Sequence, residues 1–355
     1  MDHTKKLFAL FQQKTKLFFR YLAVQRADAL ENSHLAKLPT ELLQQVANDL
    51  PLASAVSFSL SCRYIHLLIG TQYLESLATA DHEKLVFLKL IEHDLQNQIV
   101  CNSCRKLHRM QDARKYTHIR ALLVVEPDCI IDDRMAMVTS FIHDTFSTTI
   151  FKMAMKHHHH FGDDSQSRRL LNLLSEKLHS DAWGAFVRKQ KVECRIKNGS
   201  LFTSKRTAFH GTCTDVERRS IRVSICGHLE FKSIGRPAGL CVITSYPLLS
   251  EEKWSMLLRC ENSTNRNEAS RDLCSELHQC RYCRTEYKAG FEHDDGCNIK
   301  FTITIWKDLG QGPETEEWRA HFRLQGRLSV PQPIQFHGGE IAAVFQLRGT
   351  ELGHR

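Results

Sequence analysis

No apolar run in this sequence approaches the roughly 20 residues that a membrane-spanning helix needs, and the N-terminus lacks an apolar segment followed by small residues of the signal-peptide kind. A soluble intracellular protein, cytoplasmic and/or nuclear, is the expectation. Charge of one sign is also scarce: 48 Lys plus Arg against 40 Asp plus Glu leave +8 spread over 355 residues. That balance is too dilute to argue for nucleic acid as a partner. Catalytic signatures are missing as well. There is no G-x-x-x-x-G-K-[ST], no G-x-G-x-x-G after a strand, no G-x-S-x-G and no H-E-x-x-H. The acidic pairs Asp132-Asp133, Asp163-Asp164 and Asp294-Asp295 are sequence neighbours, whose side chains usually diverge, so they read as solvated turns. An enzyme is not expected.

Cysteine, by contrast, is plentiful. The count of 13 is odd, and two groups have metal-ligand spacing, which in a reducing compartment points to thiols or metal. Cys101-x-x-Cys104 is followed by His108, and Cys280-x-x-Cys283 is preceded by Cys274 and His278. A C-x-x-C knuckle turns two thiolates toward one ion, so Cys101, Cys104, Cys280 and Cys283 are expected around a single structural zinc, tying two distant segments together. Local closure by Cys274, His278, Cys280 and Cys283 stays open, Cys226-x-His228 adds two further ligands, and burial of the cysteines as small hydrophobes is the bland alternative. A thioredoxin-like reading needs a strand-to-helix junction at the motif, and the stretch before Cys101 reads as helix.

Periodicity divides the chain. Residues 1–34 hold Phe8, Phe11, Phe18, Phe19 and Leu22 among Lys and Arg with no acid from 3 to 27, a basic amphipathic helix. In 35–75, Pro39 opens a helix on which Leu42, Val46 and Leu50 repeat on one face, Pro51 stops it, Ser54 can cap a second helix, and Gly70 ends the run. Three helices so short cannot enclose a core of their own. Region 76–180 is a helical linker: Leu85, Leu88, Ile91 and Leu95 share one stripe, Ala121–Val125 and Cys129–Ile131 suggest short strands or buried turns, and Leu170 to Leu178 form another helix. His157–His160 stand on a solvated loop or helix end, where at most two could share an ion. From 181 to 330 the period becomes two, in Val192–Ile196, Ile221–Ile225, Thr285–Phe291 and Ile299–Ile305, with a hairpin at Asn198-Gly199. Glu251–Arg259 reads as helical or irregular, Glu261–Glu268 as loop, and 331–355 as a mobile tail. The fold class is α+β: a three-helix module, then a mixed domain with an antiparallel sheet and short helices.

Leu38-Pro39-x-Glu41-Leu42-Leu43, Leu50-Pro51-Leu52 and Ser61-Cys62-Arg63 together resemble the F-box. Cys101–His108, Ala154–Gly162, Cys226-Gly-His228, the stretch from Cys280 through Tyr287, and Trp306–Gly310 followed by Trp318-Arg319 are similar to segments of a large group of fungal F-box proteins, though four consecutive His stand where that group mixes Arg and His. The resemblance implies a Skp-type adaptor bound through Leu38, Pro39, Leu42, Leu43, Val46, Leu50 and Pro51, cullin recruited through it, and the role of substrate receptor in an SCF-type ubiquitin ligase. The target is unspecified. The alternatives are a zinc-stabilised nucleic-acid binder using Arg105, Lys106, Arg109, Arg281 and Arg284, or a scaffold acting outside a ligase.

Overall fold

The fold is that of a computed structural model describing residues 33–117, 126–136, 138–176, 178–183, 186–212, 221–234, 240–245, 255–259, 276–293, 298–322 and 332–346. Nearly all of the expected N-terminal helix, Ala121–Val125, the 261–268 loop, Cys274 and the end of the C-terminal tail lie outside the described residues. The protein is α+β, with two compact units, residues 1–107 and 108–355. Among the described residues no helix is long and apolar enough to cross a membrane.

The first unit contains α1 (Thr40–Asp49), α2 (Leu52–Ser59), α3 (Arg63–Ile69), α4 (Gln72–Thr79) and α5 (Asp81–Glu92). Pro39 and Pro51 stand immediately before α1 and α2 with φ of −54° and −53°. A proline ring fixes this angle and lacks the N–H that a helix start leaves unbonded anyway. Ser54, expected as the cap of α2, is inside it, because Pro51 already starts the helix. At α3 the cap is the Cys62 thiol, which accepts from the Ile65 amide at 3.4 Å, and Gly70 ends the helix with φ +77°, the left-handed region that glycine enters without strain. Two cores result. Leu43 and Ala47 of α1 meet Ile65 and Ile69 of α3, while Ala53 and Val56 of α2 pack with Leu77, Phe87 and Leu88 of α4 and α5. The small module thus leans on the two helices that follow it. Next come β1 (Gln98–Cys101) and β2 (Lys106–Arg109), a two-stranded sheet at the point in the chain where one unit gives way to the other.

In the second unit, α6 (Asp128–Met135), α7 (Val138–Phe141), α8 (Thr148–Phe161) and α9 (Ser165–Leu174) precede the strands. Cys129–Ile131 is therefore helix, not strand: Pro127 sits at the start of α6 with φ −61°, preset for helix entry. Two of the acidic pairs supply caps instead of solvated turns. Asp133 is 4% exposed and accepts from the Thr148 amide and hydroxyl at the start of α8, and Asp164 accepts from the Ser167 amide at 2.7 Å at the start of α9.

The strands are β3 (His179–Trp183), β4 (Phe186–Lys197), β5 (Ser200–Thr212), β6 (Arg222–Cys226), β7 (Leu229–Ile234), β8 (Leu240–Ser245), β9 (Ser255–Arg259), β10 (His278–Gln279), β11 (Thr285–His293) and β12 (Asn298–Asp308), followed by α10 (Glu316–Ala320) and α11 (Glu340–Gln346). A six-stranded antiparallel sheet runs β10-β11-β12-β5-β4-β3, and a four-stranded one runs β6-β7-β8-β9. The Asn198-Gly199 hairpin joins β4 to β5, with φ of 51° and 74° at the two turn residues, as this dipeptide favours. Ser255–Arg259, expected as helix or irregular, is strand β9 paired with β8; so short an apolar run has no decisive period of its own. Between the sheets, Phe301 stacks on Phe209 at 5.9 Å and on Phe231 at 4.4 Å, centroid to centroid, within a core that Val223, Ile225, Ile303 and Ile305 extend. Each such side chain removed from water contributes roughly 1.5–3 kcal/mol.

Candidate metal centre and docking face

Helix α1 carries two apolar stripes. Leu43 and Ala47 are fully buried, whereas Leu42 and Val46, one position earlier in each case, keep 46% and 42% of their surface exposed. Leu35 and Leu38 are exposed just before the helix, Pro39 and Pro51 are exposed, and Leu50 is half-buried. Of the seven residues expected at an adaptor surface, Leu43 is the correction: it faces Ile65 and Ile69 in the core and is not available to a second chain. A solvent-facing helix in a folded domain usually shows one apolar stripe and one polar face. Leu42 and Val46 break that pattern.

The second feature is polar and buried. β6 ends at Cys226, and the turn to β7 holds Gly227 and His228. A Cβ on Gly227 would stand 2.8 Å from the His321 carbonyl oxygen, which the Gly227 amide itself approaches to 3.0 Å. Only glycine permits so close a passage. The Cys280–Cys283 knuckle lies between β10 and β11, closed by the Cys280 amide donating to the Thr285 carbonyl at 2.8 Å and the Thr285 amide to the Cys283 carbonyl at 2.7 Å. These two turns bring Cys226, His228, Cys280 and Cys283 together, all buried, with their candidate ligand atoms within 4.8 Å of one another. Cys226 Sγ is 3.7 Å from Cys280 Sγ and 3.8 Å from His228 Nδ1, and Cys280 Sγ is 3.7 Å from the same nitrogen.

Those edges are compatible with a tetrahedral metal site as well as with hydrogen-bonded thiols. A tetrahedral ion with metal–sulfur bonds of about 2.3 Å holds its sulfurs roughly 3.8 Å apart. The Tyr282 amide donates to Cys280 Sγ at 3.4 Å, the kind of outer contact that orients a thiolate ligand. The group can therefore hold a metal. Its electrostatics agree: burial raises the Cys226 thiol, but hydrogen bonds from Cys280, Cys283 and His228, with the Lys307 charge, bring it well below the ordinary value. Cys283 is pushed up, first by burial and then by its two sulfur neighbours. Three thiols packed this closely share negative charge poorly without a cation. Lys307, in turn, lies below its ordinary value: burial lowers it by more than the charge of the three cysteines raises it.

The expectation of one centre made by Cys101, Cys104, Cys280 and Cys283 is corrected: Cys280 and Cys283 are grouped with Cys226 and His228. Spacing identifies a knuckle, whereas tertiary pairing decides which other chain segment completes it. Cys101 ends a strand, and the Cys104 amide donates to its sulfur at 3.4 Å in a turn where Arg105 has φ +48°. The motif follows β1 and enters β2, so the segment immediately before it is strand where helix was expected, and no strand-to-helix redox junction forms. In the second unit, His108 Nε2 lies 3.9 Å from Cys129 Sγ and His108 Nδ1 lies 2.9 Å from the Tyr116 hydroxyl. His278 stacks on Tyr287 at 5.4 Å and is outside the Cys226 group. Among the four consecutive histidines at the end of α8, His157 is buried and meets Asp164 at 3.0 Å, while His159 and His160 are exposed. Two of the basic residues proposed for nucleic acid are engaged within the protein, Arg105 with Asp81 and Arg284 with Asp308 and Glu340. No protein-family model matches the chain, and comparisons with characterised proteins and with solved structures return none similar to it.

Proposed function

We propose that this chain is a substrate receptor of an SCF-type ubiquitin ligase, in which the helical module docks on a Skp-type adaptor and the sheet unit carries the target-binding surface. One observation carries the reading: α1 buries Leu43 and Ala47 inside its own unit while Leu42 and Val46 remain exposed beside Leu38, Pro39 and Pro51. A helix apolar on two sides is suited to two partners, one its own core and one another chain. The F-box resemblance of Leu38–Leu43, Leu50–Leu52 and Ser61–Arg63 supplies the class of that chain. The receptor does no bond chemistry of its own. Holding a target lysine near the charged conjugating enzyme converts a bimolecular encounter into a local one, which is the source of the rate gain. Zinc is the metal proposed for Cys226, His228, Cys280 and Cys283, as a structural ion joining the β6–β7 turn to the β10–β11 knuckle.

Co-purification of the full chain with adaptor and cullin tests the reading. Leu42→Ala combined with Val46→Ala should lower adaptor affinity by about 2 kcal/mol or more, near thirtyfold, as loss of central interface side chains does. Retention of the adaptor by that variant at the parent's affinity would overturn the ligase assignment, and adaptor without cullin would turn it toward the scaffold alternative.

A further inference from the structure

Strand β12 alternates inward and outward with a period of two: Phe301, Ile303 and Ile305 are buried, Thr302 and Thr304 half-buried. Lys307 occupies the next inward position. It is 2% exposed and ranks among the largest fully buried side chains of the protein. Its register partner across the β11–β12 ladder is Thr285, so the two side chains leave the same face of the sheet. Thr285 Oγ1 lies 3.2 Å from Cys283 Sγ and 3.3 Å from His321 Nδ1. From the same face the Lys307 ammonium donates to the carbonyl of Ile225, the residue immediately before Cys226. The charge is thus delivered between the two turns that supply the ligands.

A buried ammonium requires a counter-charge, and an unpaired one is strongly disfavoured. Among the described residues no carboxylate pairs with Lys307. The neighbouring Asp308 faces elsewhere, accepting from Arg284 Nε at 2.7 Å, Ser200 Oγ at 2.7 Å and the Gly310 amide at 3.0 Å. What does act on the ammonium is the charge of the three thiols, Cys226, Cys283 and Cys280; His321 is also in electrostatic reach, as is Lys205, which has Asp144 and Glu176 as opposite charges of its own. With three thiolates and a neutral imidazole, a divalent ion leaves one net negative charge, which a single ammonium cancels. A monovalent ion would leave two negative charges, and a trivalent one would leave none and strand the ammonium.

We propose that Lys307 is the built-in counter-cation of the Cys226–His228–Cys280–Cys283 centre and matches it to a divalent, thiolate-binding ion. This rests on the zinc reading above, and deepens it by naming the residue outside the ligand set on which metal retention depends. Lys307 is a positioning residue here, acting on the ion through charge and not by coordination.

The test uses the full chain with Cys101→Ser and Cys104→Ser, so that the other knuckle does not contribute. Zinc content, chelator competition and the thiolate-to-cobalt absorption of the Co(II) form are compared for Lys307, Lys307→Gln, Lys307→Met and Lys307→Arg. Gln keeps a donor for the Ile225 carbonyl without the charge, and Met removes both. Both should lose 10–100-fold in zinc affinity, roughly the effect of removing an outer-shell partner, while the cobalt absorption keeps its tetrahedral thiolate form. Arg should restore most of the loss. Should Met fail to fold, Gln alone carries the comparison. Parental affinity in Lys307→Gln would overturn the counter-charge role and leave the zinc reading standing. A parent that takes up neither zinc nor cobalt would overturn the zinc reading, and this inference with it.

Discussion

In the helical module, Leu42 and Val46 leave close to half their surface in water, whereas in the sheet unit three thiols, an imidazole and an ammonium are almost wholly withdrawn from it. Each region departs from the usual partition, in opposite senses. Exposed apolar surface gains free energy when another apolar surface covers it, and buried polar groups gain it when charge is balanced and lone pairs are used. The proposed roles follow that contrast: a second chain would cover the module's exposed stripe, and the buried cluster of the sheet unit could hold an ion. The contrast also separates their energetics: a docking face can be altered with little effect on folding, but a centre that lies within the core cannot.

The sheet side of this contrast gives the largest expected effect. Cys280→Ser with Cys283→Ser, or metal removal by a chelator, should cost the second unit more than about 4 kcal/mol, because binding free energy at a structural site is folding free energy. Hydrogen exchange should show loss of protection in β6, β7, β11 and β12, with α1–α5 unchanged. Unchanged protection in those strands would break the claim that the centre holds the two sheets together.

Next comes a comparison within one helix. Leu43→Ala empties a fully buried position and should cost about 2–5 kcal/mol of stability. Leu42→Ala, one residue away, should change stability by no more than about 0.5 kcal/mol while weakening adaptor binding. Thermal denaturation and a binding titration on the same two variants read both quantities, and similar stability losses would mean that both stripes of α1 are core.

How far the sequence foretold these two regions follows from the range of the interactions concerned. Pro39, Pro51 and Gly70 punctuate helices, and Asn198-Gly199 folds its own hairpin, because each acts on the backbone beside it. The two stripes of α1 were not separable, since Leu42/Val46 and Leu43/Ala47 have the same spacing and only packing shows which one Ile65 meets. C-x-x-C singled out Cys280 and Cys283, and Cys226-x-His228 stood among the further candidates, but spacing could not choose it over Cys101 and Cys104, because the β6–β7 turn lies 54 residues away from Cys280. Lys307 was missed outright. Its one signal was position in the run Phe301, Ile303, Ile305, 307, where alternation predicts an inward side chain and composition predicts an outward one.

The sheet unit's buried polar set should also make stability depend on acid. His321 is fully buried, its Nε2 meeting the Asp308 carbonyl at 2.8 Å, and burial, followed by the Lys307 charge, pulls its imidazole from 6.5 to about 3. Above pH 6.5 the ring is neutral in both the folded and the unfolded chain, and its contribution is intact. Below 6.5 the unfolded chain takes up a proton that the folded chain refuses, so stability falls by up to about 1.4 kcal/mol per pH unit as acid is added, until pH 3 is neared. His321→Gln should flatten that part of the profile; an unaltered slope would assign the acid sensitivity to the ligand thiols instead.

Thiol chemistry provides the finest comparison and has no expected cost in stability. Cys62, at the start of α3, is half-buried, whereas Cys194 on β4 is 6% exposed, donates to the Leu174 carbonyl at 3.4 Å, and has its thiol pushed up to about 12 by burial. Thiolate is the species that reacts, so Cys194 is shielded twice, by access and by protonation. With a small alkylating reagent at pH 8, mass mapping should find Cys62 modified in the folded chain, with Cys194 reacting only after denaturant is added. Equal labelling of the two under native conditions would mean that β4 opens on the timescale of the reaction, and that the sheet unit is no more closed to solvent than the helical module.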